Sequence, residues 1–178
     1  MRTLKNLLVL AISISAFTFI SCQSDDNGGG GGAVEAGTLT AQIDGVTFQS
    51  LEISSSATLA NAGGTLNLVI IASNSDGNAF SIVIFGYDGT GTYDITGDNI
   101  AILNTASYSE TDISDPMNPS TEIWQAPFDN TMVGSVSISE ETDTNVKGTF
   151  SFTCKNVNGD GSVKTISDGS FDLDKQTT

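Results

Sequence analysis

The chain of 178 residues carries 21 acidic against six basic side chains, a formal charge of −15, and it contains no histidine. A charge of this sign repels phosphate backbones, so we expect no nucleic-acid partner. The lack of histidine excludes imidazole as a general base, the Ser-His-Asp and Cys-His nucleophile pairs, and imidazole metal ligands.

The first 21 residues have the pattern of a signal peptide. Arg2 and Lys5 form a positive start, and an apolar stretch follows from Leu7 to Ile20. As a helix this stretch would be about 21 Å long, whereas a hydrocarbon core of about 30 Å needs about 20 residues. We therefore expect residues 1–21 to direct export and to be removed.

The end of this segment, Phe19-Ile20-Ser21-Cys22, resembles a bacterial lipobox. In a lipobox a small residue precedes the cysteine that becomes the lipidated first residue, because the diacylglycerol is joined through a thioether. Each buried CH₂ of the acyl chains contributes about 0.8 kcal/mol, so two or three chains form a stable anchor. We predict that Cys22 attaches the chain to a membrane; the alternative is an ordinary secretory signal in which Cys22 is a small apolar residue.

The residues that follow Cys22 are acidic. Ser24, Asp25 and Asp26 resemble the short export signal by which Bacteroidota-type lipoproteins reach the outer face of the outer membrane. This pattern predicts an outer-membrane lipoprotein that faces the cell exterior, and the alternative is a solvated acidic start to a linker. Removal of Arg2 and Lys5 leaves four lysines against 21 acids, a net charge of −17 that favours solubility.

Residues 22–37 then form the lipidated cysteine and a flexible linker, which contains five consecutive glycines from Gly28 to Gly32. The run lacks the lysine and the strand-to-helix context of a phosphate-binding loop. We interpret it as a spacer that holds a folded module away from the lipid. One all-β domain is expected over residues 38–178.

From Thr38 onward the apolar pattern has a period of two, in short runs rich in β-branched and aromatic residues. Asp44-Gly45 predicts a tight hairpin turn, and Asp168-Gly169 predicts either a second hairpin turn or a bulge. Residues 66–72 and 80–87 are apolar at both odd and even positions, which is typical of strands covered on both faces or crossing the middle of a packed core. The predicted strands are 38–43, 46–52, 66–72, 80–87, 91–95, 100–108, 121–126, 132–139, 146–155, 162–166 and 170–174.

About ten short strands in a meander predict an antiparallel β-sandwich, with a flattened β-barrel as the alternative. Lipidation of Cys22 would leave Cys154 without a partner, and its parity predicts a buried, unreactive thiol. The predicted core comprises Ile43, Phe48, Leu66, Leu68, Ile70, Phe80, Ile82, Ile84, Val136, Ile138, Phe150, Phe152, Ile166, Phe171 and Leu173.

Four short sequences follow one another along the chain: TAQIDGVTF at 40–48, GTYDI at 91–95, VKGTFSF at 146–152 and SDGSF at 167–171. Together they resemble an uncharacterised family of small Bacteroidota lipoprotein domains. The resemblance implies an all-β, lipid-anchored envelope module. It brings no activity, ligand or catalytic residue with it.

Two features suggest ligands. Trp124 and Tyr108 are candidates for stacking on a sugar ring, although a tryptophan more often covers a sheet edge. Residues 74–78 and 158–161 have the clustered oxygens of calcium loops, and they also fit ordinary turns. We predict no resident cofactor and no metal site, with Ca²⁺ as the alternative.

For function, we predict a non-catalytic surface module with a binding or structural role, whose partners are the membrane through the lipid and a glycan or an envelope protein. One alternative is a glycan hydrolase that uses carboxylates alone, with two of them about 5 to 9.5 Å apart. The other is a calcium-dependent glycan-binding module. We favour the non-catalytic role because no motif marks a nucleophile or a proton donor.

Overall fold

A computed structural model describes residues 34–99 and 103–177, so the predicted signal peptide, Cys22, Ser24, Asp25, Asp26 and most of the predicted linker lie outside the described residues. Within those two ranges the chain is almost entirely β-structure, with one 3₁₀ turn at Glu52–Ser54, and no helix has the length and apolar character needed to cross a membrane. The strands are β1 (Thr38–Ile43), β2 (Val46–Gln49), β3 (Ser55–Ala62), β4 (Thr65–Ser73), β5 (Ala79–Phe85), β6 (Gly91–Thr96), β7 (Thr105–Asp112), β8 (Ser120–Ala126), β9 (Met132–Glu141), β10 (Asn145–Lys155) and β11 (Val163–Thr177).

The strands form one sheet in the order β2-β1-β11-β3-β4-β5-β7-β8-β10-β9-β6, and β11 also pairs with β10. This additional pairing joins two distant parts of the order, so the sheet folds over and encloses one core. The all-β class, with a sandwich or flattened-barrel arrangement, is confirmed. The pairing differs from a simple antiparallel meander, because β3 pairs with β11 in parallel and several strands pair with partners that are not consecutive in the sequence, such as β1 with β11 and β6 with β9.

Phe80 on β5 lies at the centre of the core. Its ring centroid is 4.9 Å from that of Phe48, 5.1 Å from that of Tyr108 and 5.6 Å from that of Phe150. Because β5 and β10 are not neighbours in the sheet, the contact with Phe150 crosses the core. Aromatic pairs of this kind contribute about 0.5–1.5 kcal/mol beyond the area that they bury.

The predicted core residues are all buried except Leu66, of which 39% is exposed. Leu66 shares the inward parity of Leu68 and Ile70, but it lies next to the Gly63–Gly64 turn at the end of its strand. The outer faces of β4 and β5 are also less covered than their apolar pattern suggests, since Ile71 is 50% exposed. The alternation of the sequence therefore predicted the face of the sheet on which these side chains lie. It did not predict how much of that face other residues cover.

Both Asp-Gly turns are resolved. Asp44 and Gly45 have φ of 50° and 84°, the positive values that a type I′ hairpin requires, and Ile43 pairs with Val46. At Asp168-Gly169, by contrast, β11 continues through the pair with a shift of register opposite Phe150. The hairpin alternative at this site is wrong and the bulge is confirmed.

One strand was not predicted. β3 consists mainly of small and polar residues, which have low strand propensity, yet it pairs with β4 on one side and β11 on the other. A further predicted strand, 100–108, begins only at Thr105 in the described part of the chain, and its residues 100–102 lie outside it.

Cys154 on β10 is fully buried, as predicted. Its Sγ lies 3.6 Å from the carbonyl oxygen of Lys164, and burial raises the pKa of the thiol to about 12. Because the thiolate is the reactive species, a thiol with such a pKa stays protonated and inert at neutral pH.

We therefore expect Cys154 to be protected from thiol reagents in the native protein. In the full chain carrying Cys22→Ala, Cys154 is the sole thiol, and its reaction with Ellman's reagent near neutral pH should be at least about 100-fold slower than in denaturant. A matched control is Ser151→Cys combined with Cys154→Ser, which moves the thiol to an exposed position on the same strand. Equal rates for the native proteins would contradict the assignment of Cys154 to the core.

Candidate functional site

Two adjoining cavities of about 330 and 430 Å³ form a groove between the β1–β2 turn, the β4–β5 turn and the β7–β8 hairpin. Asp76, Asn78 and Glu110 line both cavities, so we treat them as one feature and call it the acidic groove. Its lining consists of Ile43, Asp44, Val46, Thr47, Phe48, Asn74, Asp76, Asn78, Tyr108, Glu110, Thr111, Asp112, Ser120, Glu122 and Lys164.

The β1–β2 turn is fixed against β11. The backbone N–H of Asp44 donates to the carbonyl oxygen of Thr165 at 2.9 Å, and Asp44 Oδ1 accepts from the backbone N–H of Thr165 at 2.8 Å. These two bonds join residues that are remote in the sequence. They hold the first wall of the groove at a fixed position.

The β4–β5 turn forms the second wall. Asn74 Oδ1 accepts from the backbone N–H of Asp76 at 3.0 Å and from that of Asn78 at 2.9 Å. Gly77 has φ of 83°, a value at which a side chain would be strained. The Asn74 side-chain oxygen is therefore engaged within the turn.

The calcium alternative rests on this turn and on residues 158–161. In the second loop Asp160 Oδ1 accepts from the backbone N–H of Ser162 at 2.8 Å, a bond typical of an ordinary turn. Over the described ranges, no group of three or more acidic, cysteine or histidine side chains is arranged to hold a metal ion. Calcium binding stays a prediction that neither loop supports with a preformed ligand set.

Lys164 on β11 lies at the boundary between the acidic groove and the core. Its Nζ is 2.9 Å from Glu110 Oε1 and 4.3 Å from the centroid of the Trp124 ring. Its side chain is 19% exposed and that of Glu110 is 41% exposed, so the ion pair is partly solvated and contributes about 0–1 kcal/mol. The contact with the indole ring adds about 0.5–2 kcal/mol.

Tyr108 completes this cluster. Its hydroxyl donates to Glu110 Oε1 at 3.1 Å, and Lys164 Nζ lies 5.8 Å from its ring centroid. Burial, followed by the charge of Glu110, raises the pKa of the Tyr108 hydroxyl above its ordinary value. At neutral pH Tyr108 is therefore a hydrogen-bond donor that holds the Glu110 carboxylate in place.

The two aromatic residues predicted to stack on a sugar are thus brought together, with ring centroids 6.1 Å apart. However, Tyr108 is only 2% and Trp124 only 4% exposed, and Lys164 covers the face of the indole ring. The indole N–H donates to Ser162 Oγ at 2.9 Å, which fixes the ring. The stacking role stays a prediction, and it requires that Lys164 move away from Trp124.

The sequence analysis missed Glu110, Glu122 and Lys164. Glu122 Oε2 accepts from the side-chain amide of Asn156, which is only 3% exposed. One signal was available for Lys164, because it is one of only four lysines after residue 21 and it follows a predicted strand start. No local pattern could indicate that it contacts Glu110, 54 residues away in the sequence.

A family model described as "Domain of unknown function (DUF6252)" matches residues 35–172. The chain belongs to the DUF6252 family. In this DUF6252 chain the matched range includes all the residues that line the acidic groove. Membership confirms the resemblance to an uncharacterised family, and the description of DUF6252 carries no activity. Comparison with curated proteins gives no match, and neither does comparison with solved structures.

Proposed function

We propose that this DUF6252 protein is a lipid-anchored, non-catalytic module on the outer face of the outer membrane, and that its acidic groove binds a hydroxyl-rich ligand such as a glycan. The observation that carries the binding role is the groove itself. Carboxylates, amides, hydroxyls and one ammonium line a continuous depression whose base includes the buried rings of Phe48 and Tyr108. A few polar groups around an apolar base are typical of small-molecule sites.

The position of the linker supports the display of this groove. The predicted linker ends where β1 begins, at Thr38, whereas Asp44 at the rim of the groove follows the other end of β1. Six residues at about 3.3 Å each separate these ends by roughly 20 Å. A tether at Cys22 would then attach to one end of β1 while the hairpin turn at the other end presents the groove.

The bonding of the groove carboxylates supports recognition rather than catalysis. Glu110 is held by Lys164 and Tyr108, and Asp44 is held by the backbone of Thr165. Carboxylates fixed in this way offer acceptors at defined positions, which favours the binding of hydroxyl groups. The Bacteroidota origin, the lipid anchor and the exterior location rest on the N-terminal sequence pattern.

Binding is tested with the full chain in detergent, with Trp124, the sole tryptophan, as a fluorescent reporter. A glycan array identifies a ligand, and Asp76→Ala should then weaken binding by about tenfold, the effect of losing one polar contact of about 1.4 kcal/mol. Asp94→Ala, an exposed aspartate on β6 outside the groove lining, is the matched control and should bind normally.

Two results would contradict this proposal. If Asp76→Ala and Asp94→Ala bind a recovered glycan equally well, the groove is not the site. If the wild-type chain cleaves a glycan and Glu110→Gln abolishes the cleavage, the protein is a hydrolase rather than a binding module.

A further inference from the structure

We propose that the acidic groove contains a binding site for an organic ammonium group, and that the side chain of Lys164 occupies this site as an internal competitor. The inference deepens the proposed function and rests on it, because it specifies which chemical group of a ligand the groove recognises. The site is one cluster, formed by Trp124, Tyr108 and Glu110, which we call the ammonium cage. Tyr108 and Glu110 line the groove, whereas Trp124 is covered by Lys164 and would join the lining only when that side chain leaves.

The ammonium cage has the composition of a cation receptor. Lys164 Nζ lies 4.3 Å from the ring centroid of Trp124 and 5.8 Å from that of Tyr108, both within the range of cation–π attraction. The two rings are tilted by 34° to each other, and Glu110 Oε1 supplies a carboxylate oxygen at 2.9 Å. Two aromatic rings and one carboxylate are the combination that recognises alkylammonium groups. The structure contains an ammonium at this place, and it belongs to Lys164.

The two aromatic rings of the cage are held by contacts that do not involve Lys164. The indole N–H of Trp124 donates to Ser162, and the hydroxyl of Tyr108 donates to Glu110. The rings are also held by burial, at 4% and 2% exposure. Departure of the lysine side chain would therefore leave a preformed site, with the cost of organising it already met by the fold.

The side chain of Lys164 can leave the ammonium cage without disturbing the sheet. Its backbone pairs with Cys154 on β10, so only the four-carbon side chain has to swing into the groove, where it is already partly exposed. A tethered competitor of this kind acts at an effective concentration in the millimolar range. An external ammonium must displace it, and the carboxylates of Asp44 and Asp76 in the same groove raise the local concentration of cations.

Two sources share this chemistry, namely the amine of an amino sugar and the lysine side chain of a partner protein. The ammonium group is common to both, and three small ligands distinguish the two sources. Glucosamine is compared with N-acetylglucosamine, which lacks the charge, and both are compared with Nα-acetyl-lysine methylamide.

The first experiment titrates tetramethylammonium into the full chain in detergent and follows Trp124 fluorescence. Lys164→Gln removes the competitor and should bind tetramethylammonium at least about tenfold more tightly than the wild type. Lys175→Gln is the matched control, since Lys175 forms a similar ion pair with Glu141 at 3.0 Å but lies roughly 35 Å further along β11. Glu110→Gln added to Lys164→Gln should remove most of the gained affinity.

A second measurement does not depend on the folding of a variant. In the wild type, Lys164 Nζ lies over the ring of Trp124, so we expect the ring current to shift the resonance of the adjacent methylene protons. These protons should move toward ordinary chemical shifts as tetramethylammonium displaces the side chain. Unchanged shifts up to molar tetramethylammonium would overturn the inference, as would a natively folded Lys164→Gln chain that gives no saturable fluorescence response.

The outcomes separate the two proposals. Glycan binding that depends on Asp76 but is unaffected by Lys164→Gln leaves the proposed function standing and removes the ammonium site. If Lys164→Gln binds ammonium more tightly but no glycan ligand is found, the result supports the ammonium cage and contradicts glycan binding. A response to glucosamine but not to N-acetylglucosamine or the lysine derivative assigns the site to amino sugars, and a response to the lysine derivative alone assigns it to a protein partner.

Discussion

Phe80→Ala should lower the free energy of unfolding by about 3–5 kcal/mol, the largest stability effect that we expect from one substitution in this protein. Phe80 is 1% exposed and contacts aromatic rings from β2, β7 and β10. Its removal leaves a cavity between the two halves of the folded sheet, lined by rings that cannot all move to fill it. Because small domains are stable by only about 5–15 kcal/mol, the variant should be close to unfolding.

Equilibrium urea unfolding of the full chain, followed by Trp124 fluorescence, measures this loss. Phe85→Ala is the matched control, because Phe85 lies on the same strand but is 36% exposed. Its loss should cost no more than about 1.5 kcal/mol. Similar urea midpoints for the two variants would show that the aromatic cluster around Phe80 contributes little to the stability of the core.

Cys22→Ala should move the protein almost completely from the membrane fraction to the soluble fraction. The residues from Cys22 onward have a net charge of −17, which repels anionic lipid headgroups, so the thioether-linked acyl chains are the expected anchor. Ultracentrifugation of lysates with immunoblotting measures the change. Retention of Cys22→Ala on membranes, or mass spectrometry that finds an unmodified Cys22, would contradict the lipoprotein assignment.

A variant with Asp25→Ala and Asp26→Ala is the comparison that separates anchoring from display. It keeps the cysteine, so it should remain in the membrane fraction, but its digestion by protease added to intact cells should fall. Unchanged digestion would show that these residues do not direct the protein to the cell exterior, while leaving the anchor itself intact.

The surroundings of Trp124 and Tyr108 beside the acidic groove could be predicted only in part from the sequence. Trp124 and Tyr108 were recognised as ligand candidates from their type and position, and they do lie together. Glu110 is a local neighbour of Tyr108 on β7, but Lys164, which covers the ring of Trp124, comes from the remote strand β11. A period-two pattern places Lys164 on the same face of its strand as the buried Ile166, but it contains no information about the ring that its ammonium covers.

The sequence alone was sufficient for the all-β class, the β1–β2 hairpin, the burial of every predicted core residue except Leu66, and the burial of Cys154, because each follows from local alternation or local turn chemistry. Other buried residues, such as Leu39 and Ile95, were not predicted. The tertiary structure decided the parallel pairing of β3 with β11, the contact of β6 with β9, and the bulge at Asp168. These depend on which remote strands lie side by side, and small polar strands such as β3 are selected by their neighbours rather than by their own propensity. The same distinction applies to function: the predicted N-terminal signals are continuous in the sequence and can be recognised from it, whereas the acidic groove exists only after the sheet has folded over its core.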